Sequence, residues 1–176
     1  GLSAAAEEET SAQSGEESVI DADSLSSDES SKETLTSGDY SYTLDGDNAT
    51  ITKYNGSETA VTIPDKLDGH TVTTLGSGTF ATKDMITSIT IPATVDTINS
   101  SCFYGCTVLE QVSLAEGNTA FTVTDGVLFS ANGEDLIVYP QAMEGTSYTI
   151  PDTVREIWTS AFSNTKLTDV TFPDGL

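Results

Sequence analysis

The sequence predicts a β-rich α/β solenoid built on a unit of about 23 residues, and three observations carry that prediction. Three segments share one aliphatic pattern: Ile86, Ile89, Ile91; Leu109, Val112, Leu114; and Leu167, Val170, Phe172. The first two begin 23 residues apart. Longer units then align around them. After Ile91 come Val95, Ile98, Phe103, Leu109, Val112 and Leu114; after Ile150 come Val154, Ile157, Phe162, Leu167, Val170 and Phe172. Finally, proline directly follows Ile63, Ile91, Ile150 and Phe172, where it stops a strand because it cannot donate to a ladder. A unit of this kind has an apolar edge that it cannot bury alone, so stacking of neighbours forms the core.

The elements follow in chain order. Residues 1–37 hold ten acidic residues and one basic residue, Lys32, with almost no large apolar side chain. Such a stretch buries too little apolar surface to offset its ordering entropy, so it is expected to be a disordered acidic linker rich in Ser and Glu. Residues 38–62 read as an N-terminal β cap. Residues 63–90 form repeat 1, delayed by a small insertion at 68–72; residues 91–113 form repeat 2. Repeat 3, residues 114–149, carries about 13 surplus residues. They hold two apolar runs, Gly126–Phe129 and Leu136–Tyr139, around Asn132-Gly133, which signals a β-hairpin projecting from the solenoid or packed beside it. Repeat 4 spans residues 150–171, and residues 172–176 open a further repeat, so the natural protein is expected to continue.

Within a unit, the Ile-, Val- and Thr-rich hexapeptide alternates at its end as a half-buried strand does. Phe103 and Cys106 lie three apart in Ser100–Thr107, the spacing of a short helical or 3₁₀ turn. Phe80, Phe103 and Phe162 share one offset and are expected to stack as an aromatic ladder inside the solenoid.

These residues carry a family resemblance. The period lies within the leucine-rich-repeat range of roughly 20–29 residues. The Ile-Pro starts, the Ala161-Phe162 and Phe103–Cys106 turns, and the phrase Asp125–Phe129 followed by Leu136–Pro140 resemble the BspA-like leucine-rich repeats of bacterial surface proteins. Tyr40–Leu44, Ala49–Gly56 and Val61–Pro64 resemble the β-rich segment that precedes such repeats. The likeness covers residues 38–176 and departs at Ala115, where a proline is missing, and at Trp158, where the family usually has a small residue. It implies a secreted or surface-attached protein that binds other macromolecules, with no enzyme chemistry.

Charge narrows the partners. The chain carries −22, of which residues 38–176 hold −13 with only Lys53, Lys66, Lys83, Arg155 and Lys166 as cations. Such a surface repels phosphate backbones and anionic lipid, which excludes nucleic acid and leaves cationic partners open. No apolar run approaches the roughly 20 residues of a membrane span. No initiator Met is present, and Gly1 reads as a residue left by cleavage, the expectation for a trimmed piece of a secreted protein.

Candidate chemistry is sparse. Cys102 and Cys106 read first as buried, reduced core thiols, with a disulfide as the alternative. Two thiols do not make a zinc site, and the single histidine, His70, belongs to another unit. Asp45, Asp47 and Asn48 hint at calcium, but position 12 of such a loop is Gly56, so a β-turn is the better reading. The sequons at Asn48, Asn55 and Asn99 are short enough to arise by chance. No nucleophile, metalloprotease or phosphate-cradling motif is present, so neither catalysis nor a cofactor or resident metal is expected.

The outward strand positions are the candidate site. With Ile89 and Ile91 inward, Ser88 and Thr90 face out on the concave sheet; Thr62, Gln111, Ser113, Thr149, Asp169 and Thr171 take equivalent places. Thr is also simply a good residue for an exposed strand position. The functional reading is a hydroxyl-lined face for an extracellular protein partner, with a glycan second because the face lacks aromatic platforms. Trp158, the only tryptophan, either packs under the 115–149 hairpin or is an exposed interface anchor. The expected function is non-catalytic recognition or adhesion at the cell surface; the alternative is a passive spacer or targeting module of a larger protein.

Overall fold

The computed structural model describes residues 32–176, which form fifteen strands: β1 (Leu35–Ser37), β2 (Tyr40–Asp45), β3 (Asn48–Tyr54), β4 (Ala60–Thr62), β5 (Lys66–Leu67), β6 (His70–Leu75), β7 (Ser88–Ile91), β8 (Thr97–Ile98), β9 (Gln111–Leu114), β10 (Phe121–Thr124), β11 (Val127–Ser130), β12 (Asp135–Val138), β13 (Ser147–Thr149), β14 (Glu156–Ile157) and β15 (Asp169–Thr171). The linker expected at 1–37 lies outside the described residues as far as Ser31. Its last part is corrected: β1 pairs antiparallel with β2, Leu35 opposite Tyr42, so the fold takes in residues assigned to the linker. Tyr42 and Ser37 then donate hydrogen bonds to the Asp68 carboxylate at 2.8 and 2.7 Å, and these hold its pKa below the ordinary value.

Each coil runs from one strand through a proline corner to a second strand, then through an aromatic corner back. The strands before the proline corners stack in parallel as β4-β7-β9 and again as β13-β15. The strands before the aromatic corners stack as β3-β6-β8 and as β12-β14. The 68–72 insertion is a tight hairpin between β5 and β6, with Asp68 and Gly69 at φ 50° and 88°, the left-handed pair that such turns demand. The Asp45–Asn48 segment closes the β2–β3 hairpin, the turn reading rather than the calcium one.

No helix, α or 3₁₀, occurs among the described residues, which corrects the α/β description and the helical turns expected at the aromatic corners. The reason is local. Two residues before and two after each corner phenylalanine, the backbone turns left-handed: Gly78 and Thr82 around Phe80, Ser101 and Gly105 around Phe103, Ser160 and Asn164 around Phe162. A left-handed residue every four positions leaves only isolated turns, such as Tyr104 N–H to Ser101 O at 3.2 Å and Ser163 N–H to Ser160 O at 3.0 Å.

The expected aromatic ladder exists in two pieces. Tyr40, Tyr54, Phe80 and Phe103 follow one another, with the last pair stacked at 6.0 Å and 4°. Phe162 does not continue that row; it packs on Tyr139 at 5.6 Å and Tyr148 at 6.2 Å. The hairpin of repeat 3 explains the split. It is a three-stranded antiparallel meander, β10-β11-β12, whose last strand joins the solenoid by pairing in parallel with β14. Leu128, Ile137 and Val138 face the larger core, while Val127, Phe129, Leu136 and Tyr139 face a second one. The meander is therefore a wall buried on both sides. That accounts for its unbroken apolar runs, since a strand covered on both faces need not alternate.

Candidate functional site

The eight outward strand residues fall where an alternating strand puts them, on two sheets rather than one. On the first sheet Thr62 lies opposite Thr90 and Thr90 opposite Ser113, while Ser88 pairs with Gln111. Their inward neighbours Val61, Ile89, Ile91 and Val112 are buried at 0–3% exposure, so register pins the hydroxyls outward. Gln111 Nε2 donates to Ser113 Oγ at 3.2 Å. Thr149 and Thr171, with Ser147 and Asp169, form a second register pair on β13 and β15. No ladder joins β9 to β13. The expected column of five hydroxyls is thus a row of three and a row of two.

Beside the row of three lies a hollow of about 370 Å³, lined by Thr62 and Thr90 together with Pro64, Asp65, Pro92 and Ala93. The Ile-Pro corners build it: each proline ends its strand, and successive corners leave a trough with hydroxyls on one wall and proline rings on the other. Where the third proline is missing, Ala115 uses its N–H, donating to Ile91 O at 2.8 Å. Asn118 locks the corner behind it. Its amide donates to Pro92 O and Val95 O at 2.9 and 3.0 Å, and its Oδ1 accepts from the N–H groups of Ala120 and Phe121. Sequence reasoning missed Asn118; the only signal was its place after Gly117 at the mouth of the insertion.

Cys102 and Cys106 are both buried and free, in keeping with the thiol reading. Desolvation pushes their pKa values up to about 12 and about 11, so neither is a thiolate nucleophile at neutral pH. Among the described residues no three His, Cys, Asp or Glu side chains converge as a metal site would require. Among the described residues there is no helix long and apolar enough to cross a membrane.

Trp158 sits beside Ile137 and Val138 of the inserted segment. It is half-buried and packs against both cores at the seam between them. The seam is bridged by Ala142 N–H to Leu109 O at 2.8 Å and by buried Gln141, whose Nε2 donates to Phe103 O at 3.2 Å.

Six copies of the BspA-type leucine-rich-repeat region match the chain over residues 53–132 and 138–176. The chain belongs to this family. The interval between the two matched stretches falls on the β11–β12 turn and most of β12, where the wall interrupts the repeat. No curated protein matches it in sequence. Among solved structures, a leucine-rich-repeat protein from Eubacterium ventriosum is similar at TM-score 0.52 and 19% identity, over 82% of this chain and 61% of its own. The leucine-rich-repeat protein of T. pallidum is similar at TM-score 0.54 and 22% identity, over 78% of this chain and 71% of its own. At these identities the likeness concerns the fold, and the chain spans less than two thirds of the first protein's length.

Proposed function

We propose that this BspA-type repeat chain is a non-catalytic recognition module, secreted or held at the cell surface, that binds an extracellular protein through the face of β4, β7 and β9. One observation carries the reading: Thr62, Thr90 and Ser113 stand in register, and the first two line the proline-walled hollow. Three hydroxyls spaced by the sheet repeat offer hydrogen bonds along a line, and the hollow takes an apolar side chain next to them. Shape and polar pattern of this kind suit a protein surface. Family membership and the acidic surface support the extracellular setting, and the sparse nucleophiles and raised thiol pKa values support a binding role.

The test is direct. The chain and its Thr90→Arg and Thr149→Arg variants are screened against a panel of purified extracellular proteins and glycans by surface plasmon resonance. Thr90→Arg, which puts a long charged side chain at the middle of the row, is expected to weaken capture of a protein partner about tenfold or more, a loss of at least about 1.4 kcal/mol. Thr149→Arg, on the other sheet, is expected to weaken it far less. Equal capture by wild type and Thr90→Arg, with melting temperatures unchanged, would falsify the sheet-face reading.

A further inference from the structure

The aromatic corners differ in length, and the difference opens a notch. Register matches Leu75 with Ile98 and Leu136 with Ile157; from these positions to the corner aromatic is five residues in Leu75–Phe80, Ile98–Phe103 and Ile157–Phe162, but three in Leu136–Tyr139. The wall strand thus turns two residues early, between two corners that bulge outward. The gap measures about 250 Å³ and is lined by Ile98, Asn99 and Ser100 on one side and Glu156, Trp158 and Thr159 on the other. A narrower cleft of about 20 Å³ runs inward beneath it, past Tyr104 and Trp158 to Ile137 and Val138. Trp158 lines the notch and is only partly buried, and Tyr104 is 47% exposed at the narrower cleft.

We propose that this notch is a second binding site, and that its guest is an arginine side chain presented by a cationic protein partner. The volume sets the scale. Pockets that take a whole small molecule run to roughly 300–1,000 Å³, so this one suits a single side chain. The chemistry sets the kind. An indole face attracts a cation, and a planar guanidinium stacks on it better than an ammonium does. Glu156 stands exposed at the rim with no Lys or Arg paired to it among the described residues, a free carboxylate for the far end of the guanidinium. Asn99, across the notch, offers a neutral amide oxygen. The −13 carried by residues 38–176 draws a cationic partner in from a distance. The notch opens beside β8 and β14, off the sheet that carries Thr90, so the inference does not rest on the sheet-face reading.

The sole tryptophan reports on the site. The full 176-residue chain is titrated with a blocked pentapeptide, Gly-Gly-Arg-Gly-Gly, and with the same peptide carrying citrulline, an uncharged near-isostere of arginine; Trp158 emission is read. The arginine peptide is expected to shift the emission saturably, and the citrulline peptide to do so at least about tenfold more weakly, the cost of one charge-assisted pair. Glu156→Gln is expected to weaken the arginine peptide by a similar factor. Glu110→Gln, away from the notch, and Thr90→Arg are expected to leave it unchanged. The proposal is overturned by an unsaturable or absent emission change, by equal responses to both peptides, or by equal effects of Glu156→Gln and Glu110→Gln. The last result would mean a general acidic field and no site.

Discussion

Cys106 donates its thiol hydrogen to Phe80 O at 3.1 Å, and Cys102 lies at 2% exposure beside Phe103. Both protons are held by desolvation, since ionising either thiol would put a charge among aromatic rings and aliphatic side chains. Tyr148 is held the same way, pushed up to about 12, and Tyr54 and Tyr139 are raised by the same cause. Each of these groups is neutral when protonated and has a folded pKa above its unfolded one. Their contribution is therefore complete below the ordinary thiol value of 9.0 and declines as pH climbs toward 11–12, where the folded thiols also ionise. Melting temperature is expected to stay level from about pH 7 to 9 and then fall steadily toward pH 12. With Cys102→Ala the decline should become shallower with its onset still near 9, set by Cys106; with both thiols replaced by alanine the onset should move toward the tyrosine value of 10.0. Circular-dichroism melts across that range check it, and a melting temperature constant to pH 12 would contradict desolvation as the cause.

At the scale of the element, the corners are fixed by backbone handedness more than by side-chain type. Thr82 adopts φ 58°, an uncommon state for a β-branched residue, and its N–H still reaches Tyr104 O at 2.7 Å. Across from it Gly105 sits at φ 76°, where an added Cβ would lie 3.2 Å from Thr82 Cα. The two positions therefore respond in opposite directions. Thr82→Gly relieves about 1–2 kcal/mol of left-handed strain against about 0.5–1 kcal/mol of added chain entropy, a net gain of up to about 1.5 kcal/mol. Gly105→Ala meets both the strain and the contact and is expected to lose about 1–2 kcal/mol. Thermal melts should show the first variant rising by a few degrees and the second falling; a drop for Thr82→Gly would mean the left-handed turn is not strained. The corners also show why the hexapeptide was legible and the turns were not. Ile89 and Ile91 declare a strand by alternation alone, whereas Phe103 and Cys106, three apart, satisfy a helix equally well. The evidence against helix lay in Gly105 and Asn164, each two residues past a phenylalanine, with Thr82 in the third copy masking the pattern. Tyr54 and Tyr139 escaped the ladder for a related reason: their corners are shorter, so a fixed offset passes them by.

At the largest scale, the wall of β11 and β12 divides the apolar interior of the described residues into a cluster of 24 buried residues and a second of 7. Sequence reasoning reads the insertion as a hairpin projecting from the solenoid or packed beside it, and apolar runs around Asn-Gly describe such a hairpin and a two-sided partition equally well. In a stack of repeats, stability is nearly a sum of units and their interfaces, so an interruption of both strand rows at one level weakens coupling there. The seam keeps the Gln141 and Ala142 hydrogen bonds and the half-buried Trp158, and Gln141 Oε1 is itself buried without a partner. The smaller stack, β13 to β15, is therefore expected to open on its own before the larger one. Native-state hydrogen exchange should give Ile150, Trp158 and Asp169 amides lower opening free energies than Ile63, Gly76 and Ala115, all of which donate to backbone carbonyls within their own stack or the wall. Gln141→Ala removes one of two donors to Phe103 O, which keeps the Cys106 N–H at 3.3 Å, so it is expected to cost about 0.5–1.5 kcal/mol, the worth of one net hydrogen bond. That loss should appear mainly in the β13–β15 amides if the bond serves the seam. Identical opening energies in both stacks, lowered together by Gln141→Ala, would instead show that the wall transmits cooperativity and that the two cores unfold as one.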